Sequence, residues 1–179
     1  MMEDKQKRLV RLSKGSPIEI IETLLNSMHN FFMKEIDVAS ESNLLYLVVL
    51  GDHAVALTIS EGLFGKASLA GYKLFLEKFI DQDMEGFNFS EIAEDIHNWR
   101  NVIAHQWLSS SAYEFGIDFD MKFGWEKRKG IVYFNPKLYH EAFNDAFASG
   151  GKMWQYEQIL TEEQMQKAKE RMLKKYLKH

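Results

Sequence analysis

The chain has 179 residues, 46% hydrophobic and 13% aromatic, with two prolines and a formal charge of −4. That length supports one domain with a sizeable core, and so little proline leaves no room for long linkers. The absence of cysteine excludes a disulfide framework, a thiolate nucleophile and a thiolate metal site, and makes a reducing cytoplasm the expected compartment.

Residues 1–15 read as a charged N-terminal arm with five basic and two acidic groups. It lacks the apolar stretch of a secretory leader, so no signal peptide is expected. Residues 162–179 carry six basic and three acidic groups, so each end is +3 and the middle is −10. A basic end beside an acidic body suits a phosphate backbone, although solvated charge is the commoner reason for such a run.

Ser16-Pro17-Ile18-Glu19 is a helix start: Ser as cap, Pro at the first position, Glu reaching back. Ile18, Ile21, Leu24, Leu25, Met28, Phe31 and Phe32 keep helical spacing to about Ile36. A second helix is predicted from about Ser42 to Leu63, closed by Gly62 and Gly65, and its apolar first half places it centrally. Its longest apolar run, Leu44 to Leu50, is too short to span a bilayer, and no membrane contact is expected. Asp52 shares an arc with Leu44, Val48, Val55 and Ile59, where a carboxylate needs a partner. His53 falls on another side, where a solvated or locally bonded imidazole is expected. A third helix follows from about Ser68 to Ile80, then a polar loop from Asp81 to Phe89.

Ser90 is the predicted cap of the fourth helix, with Glu91 and Glu94 in its first turn. Taking Ile92 as zero, Ile96, Trp99, Ile103 and Trp107 lie within roughly ±60° and form the buried stripe. His97, Asn101 and His105 fall at roughly 140°, 180° and 220°, and Arg100 at roughly 80° on the shoulder. His105 is therefore expected to face water or another molecule.

After Ser109-Ser110-Ser111 the period becomes two: Tyr113, Phe115, Ile117, Phe119, Met121, Phe123 and Trp125 alternate with polar residues. This predicts a long strand, a turn at Lys127-Arg128-Lys129-Gly130 and a return strand Ile131 to Phe134, an inserted β-hairpin over 111–135. Its aromatic face beside Lys122, Lys127, Arg128 and Lys129 has the chemistry to stack and hold single-stranded RNA, or simply to pack on the helices. Asn135-Pro136 opens a fifth helix to about Ala148. Thr161-Glu162-Glu163-Gln164 opens a charged last helix, so 136–179 are C-terminal helices of the same domain.

No phosphate-binding glycine loop and no His-Glu-x-x-His occurs, and His97 and His105 stand about 12 Å apart along one helix. Neither a metal nor another cofactor is expected. The constellation left is Arg100-Asn101-x-x-x-His105. Late in a helical bundle over 16–110, it resembles the Arg-x(4–6)-His signature of HEPN domains, whose Arg is often followed by a polar residue such as Asn.

The resemblance implies a mainly α protein: a HEPN-like up-and-down four-helix bundle with an inserted β-hairpin and extra C-terminal helices. It implies a metal-independent endoribonuclease, a toxin or defence factor acting as a homodimer on RNA, with an antitoxin or regulatory protein as a further partner. His105 would be general base or acid, Arg100 would neutralise charge on the phosphorane-like transition state, and Asn101 would orient phosphate or imidazole. Arg100 and His105 differ by roughly 140° around the helix and about 7.5 Å along it, which favours two such helices meeting across a two-fold axis. Asp52 is expected to hold Arg100, and His97 to support the site. Some family members carry a Tyr two residues after the His that an antitoxin modifies; Trp107 stands there in this chain, which argues against that regulation. Two other readings remain open: a catalytically silent HEPN-like nucleotide- or protein-binding module, and an unrelated helical interaction domain.

Overall fold

The first capping box forms as its sequence implies, with Glu19 N–H donating to Ser16 Oγ at 3.2 Å and Ser16 N–H to the Glu19 carboxylate at 2.6 Å. From it runs one continuous helix, α1, in three segments: α-helical Pro17–Ser27, π-helical Met28–Met33 and α-helical Lys34–Glu41. The computed structural model describes residues 13–106 and 115–177, with the backbone alone at His105, Gln106, Tyr176 and Leu177. Most of the basic arm and the expected Trp107 and Tyr113 packing thus lie outside the described residues.

Helix α2, Leu45–Phe64, ends at Gly65, whose φ of 71° is the left-handed C-cap that glycine adopts without strain. Its Val48, Val49, Ala56 and Ile59 are fully buried, as expected of a central helix. It contacts every other long helix. Among the described residues it is also the one helix long and apolar enough to cross a membrane, and half of that window is covered by its neighbours, as for a core helix.

Helix α3, Leu69–Phe75, continues as a π-helical turn, Leu76–Ile80. A 3-10 turn, Phe89–Ile92, leads into α4, Ala93–Gln106. Ser90 therefore sits inside that turn instead of capping α4, and its backbone N–H donates to Asp81 Oδ1 at 3.0 Å.

The alternating stretch does not make one long strand. It divides into β1, Phe115–Ile117, and β2, Trp125–Arg128, which with β3, Ile131–Phe134, form a sheet ordered β1-β3-β2. β1 runs parallel to β3, and β2 pairs antiparallel with it, Trp125 opposite Phe134. Lys129 and Gly130, both at positive φ (52° and 89°), make the two-residue turn of the hairpin half. The reason for the split is local hydrogen bonding that outcompetes a ladder. Asp118 Oδ1 accepts from Asp120 N–H, and Asn135 Nδ2 donates to the carbonyls of Met121 and Phe119. Met121 is buried while Phe119 and Phe123 stand half exposed, so the alternation across the bend does not face one core. Gly124 closes the bend against Phe89.

Asn135 caps α5, Pro136–Phe147, its Oδ1 accepting from the N–H groups of Lys137 and Leu138. After a 3-10 turn, Lys152–Gln155, and a short helix α6, Tyr156–Ile159, the second capping box (Thr161 and Gln164) opens α7, Glu162–Leu177. α7 returns to the start of the chain. Lys169 Nζ donates to Gly15 O at 2.6 Å, and the Arg171 guanidinium donates to the carbonyls of Gly62 and Leu63, satisfying the C-terminal end of α2. One core accordingly runs from Ile20 through Phe134 to Met172, and the C-terminal helices are part of it.

A Cβ at Gly124 would stand 2.2 Å from the Phe89 ring, which is itself fully buried. Gly124→Ala should therefore lower stability by about 1–3 kcal/mol through overpacking, read as a shift in the urea midpoint with unchanged slope.

Candidate active site

α4 presents two kinds of neighbour. Ile92, Ile96, Trp99 and Ile103 are buried, as the stripe predicts. Trp99 lies against Phe115 and Phe134 of the sheet and against Tyr46 of α2, with ring centroids 5.2, 6.4 and 5.6 Å away.

The side expected to face water is partly covered as well. His97 is half-buried, and its Nδ1 lies 2.9 Å from Nε2 of His53, which is fully buried beside the Tyr72 ring. His53 is thus neither solvated nor locally bonded. The reason is that α2 also packs against this side of α4 and brings the buried His53 onto His97. Burial first, then the charge of Arg100 and the neighbouring His97, push the His53 imidazole down to about 3. Burial and Arg100 also depress His97. A neutral His53 has one proton to place. Its Nδ1 is buried without a partner, so a proton there would be an orphaned donor. The favourable tautomer therefore donates from His53 Nε2 to His97 Nδ1, which leaves His97 its proton on Nε2.

Arg100 is half-buried at the next turn. Its Nη1 donates to Asn101 Oδ1 at 2.7 Å, and its Nε is buried with no partner. Asn101 therefore orients the arginine. His105 follows in the last turn of α4; its imidazole lies outside the described residues.

Asp52 does not hold Arg100. Both of its carboxylate oxygens lie 3.1 Å from Nδ1 of His140 on α5, and His140 Nε2 lies 3.0 Å from Asp37 Oδ1 on α1. Asn144 Nδ2 also donates to Asp37, at 2.8 Å. Asp52 and His53 are consecutive, so one points towards α5 and the other towards α4. Complete burial lifts Asp52 to about 6 against the opposing pull of His140. For His140, burial alone would depress the imidazole, but the two carboxylates outweigh it and raise its pKa. His140 is the partner that the position of Asp52 demanded, its two ring nitrogens each facing a carboxylate. The signal was present in the sequence: His140 repeats with Phe143 and Phe147 at helical spacing on a buried face.

Of the three basic residues at the hairpin, Arg128 is tied to Asp118 and Glu126 and lies 4.7 Å over the Tyr133 ring. Its charge is largely spent within the sheet. Lys127 and Lys129 remain exposed, with Asp95 of α4 within electrostatic reach of Lys127. The structure thus joins Arg100 with Asn101 and His97 with His53, and it separates Asp52 from all four. Among the described residues no cluster of His, Asp and Glu has the makings of a metal site. Family models, curated proteins and solved structures were compared with the chain, and none matches it.

Two stability effects follow. His140→Ala leaves a buried carboxylate unpaired and should cost about 3–5 kcal/mol, measured by urea denaturation. The depressed His53 works through linkage: the unfolded chain binds a proton near 6.5 that the folded one refuses until about 3. Its contribution to stability is therefore complete above 6.5 and lost as pH falls towards 3. His53→Phe should flatten that loss relative to wild type in urea midpoints taken across the same range.

Proposed function

We propose that the chain is a metal-independent endoribonuclease of HEPN type acting as a homodimer. The observation that carries the reading is Arg100: a guanidinium oriented by Asn101, with its Nε unpartnered, one and a half turns before His105 on a helix anchored by Trp99. A fixed cation with unused donors suits a phosphate group whose charge grows in the transition state.

In this reading His105 takes the proton of the RNA 2′-hydroxyl, or returns one to the leaving oxygen, since an imidazole pKa lies between the two needs. Arg100 stabilises the dianionic phosphorane. The Nε2–H of His97, its tautomer set by His53, is a neutral donor for a phosphate oxygen nearby. Attack by the 2′-hydroxyl limits the substrate to RNA and leaves a cyclic phosphate end. A second copy supplies another Arg100 and His105 across the two-fold axis, since one helix spreads the pair too widely for one phosphate. Exposed Lys127 and Lys129 would follow the backbone of the strand beyond the cut. Toxin or defence roles, with a protein that restrains the nuclease, accord with such an activity.

The test is cleavage of total RNA in EDTA, comparing wild type with His105→Ala and Arg100→Ala. Wild type should yield cyclic phosphate ends, His105→Ala none, and Arg100→Ala a rate about 10²–10³ lower. If neither wild type nor variants cleave but the protein retains nucleotide or RNA, the silent binding module replaces the enzyme.

A further inference from the structure

A long groove lies on the side of α2 away from α4, and nothing in the proposed nuclease uses it. α1 and α2 run antiparallel along it, and α7 closes one end. Its volume is about 1020 Å³, at the upper end of the roughly 300–1,000 Å³ typical of small-molecule clefts. From Leu47 to Gly65 it extends about 27 Å at the helical rise.

The depth comes from small residues. α1 and α7 touch α2 at two glycines: a Cβ on Gly51 would meet Ile36 at 2.7 Å, and one on Gly62 would meet Met172 at 2.9 Å and Leu24 at 3.1 Å. Between these points Ala54 and Thr58 leave the floor low.

The two ends differ in charge. At the α7 end stand Arg171, Lys174 and Lys175 against one carboxylate, Glu61. Lys175 pairs with Glu61, and Arg171 donates to backbone carbonyls, which carry no formal charge, with Glu170 as its nearby carboxylate. Lys174 has no partner among the described residues and is exposed at the mouth. At the other end the one charge lining the groove among the described residues is Glu35, beside Phe32 and Leu47, which are 50% and 44% exposed. Apolar side chains of that size left at the rim of a cleft mark a binding surface.

We propose that the groove binds one free long-chain carboxylate, its head between Lys174 and Arg171 and its tail along Ala54 and Thr58 towards Phe32 and Leu47. Complementarity sets the direction: Glu35 repels an anionic head from the far end, and the cationic end attracts it. A basic segment such as residues 1–12, with four basic and two acidic groups, meets the wrong charge there. The inference is independent of the nuclease reading.

Calorimetric titration of the full chain with dodecanoate, below its micelle concentration, tests it. One saturable site per chain is expected, with dodecan-1-ol and dodecyltrimethylammonium at least tenfold weaker. Lys174→Glu should weaken dodecanoate about tenfold, and Ala54→Trp, at an exposed position on the floor, should abolish binding while the far-ultraviolet spectrum stays native. Equal binding of the cationic amphiphile, no saturation, or indifference to both variants overturns the proposal. So does a dimer that Ala54→Trp dissociates and dodecanoate does not, which would mean that a second copy covers the groove. Pelleting with anionic vesicles without binding of free dodecanoate also overturns it.

Discussion

Three fully buried polar side chains on one mostly apolar helix decide how the others stack around it. α2 touches every other long helix, and apolar burial has no direction, so packing alone would tolerate several arrangements of those neighbours. Asp52, His53 and Ser60 are each fully buried, and each would be costly to leave unpaired. Asp52 finds His140 on α5 and, through it, Asp37 on α1. His53 finds His97 on α4. Ser60 Oγ donates to Gly71 O on α3 at 2.8 Å, an approach that only a residue without Cβ permits at that point. Every long helix except α7 is thereby keyed to α2 by a hydrogen bond of fixed direction, and α7 is keyed through Arg171 to its last carbonyls.

This arrangement explains what could and could not be read from the residues. The capping boxes at Ser16 and Thr161, the Asn135 cap, the centrality of α2 and the buried stripe of α4 are local or periodic signals, and the structure has each of them. What periodicity cannot supply is the identity of the neighbour. Angular position correctly made Asp52 a group in need of a partner, but choosing between Arg100 and His140 depends on which helix crosses which. His53 and His97 both lie off the apolar arc by periodicity, and their pairing with each other depends on which helix crosses opposite, which periodicity does not supply. The strand prediction failed for another reason. Alternation from Tyr113 to Trp125 records polarity alone, whereas the bend is made by the side chains of Asp118 and Asn135 bonding to backbone groups of Asp120 and Met121.

The Arg100 region gains a different meaning from its surroundings. A guanidinium on an exposed helix face would sample many rotamers. Here Asn101 and partial burial restrict it, and the His53–His97 pair places two imidazoles of depressed pKa beside it. Burial and the nearby cation depress both rings, while the partnerless Nδ1 of His53 fixes their tautomers. The groove on the far side of α2 belongs to a separate surface, divided from this region by the helix itself.

The π-helical turn in α1 bears on how this framework tolerates change in length. An α-helix that repeats residues every four positions drifts by about 40° at each step, so Leu24, Met28, Phe32 and Ile36 would spiral off one line. The wider segment Met28–Met33 takes up an extra residue and cancels the drift, holding all four along the groove. The two halves of α1 are thus phased by that insertion. A chain shorter by one residue there would revert to plain α-helix and turn Lys34–Glu41 by about 100°, carrying Asp37 away from His140. Exposed side chains of this helix can be exchanged without altering that phase, whereas losing one residue from Met28–Met33 alters it.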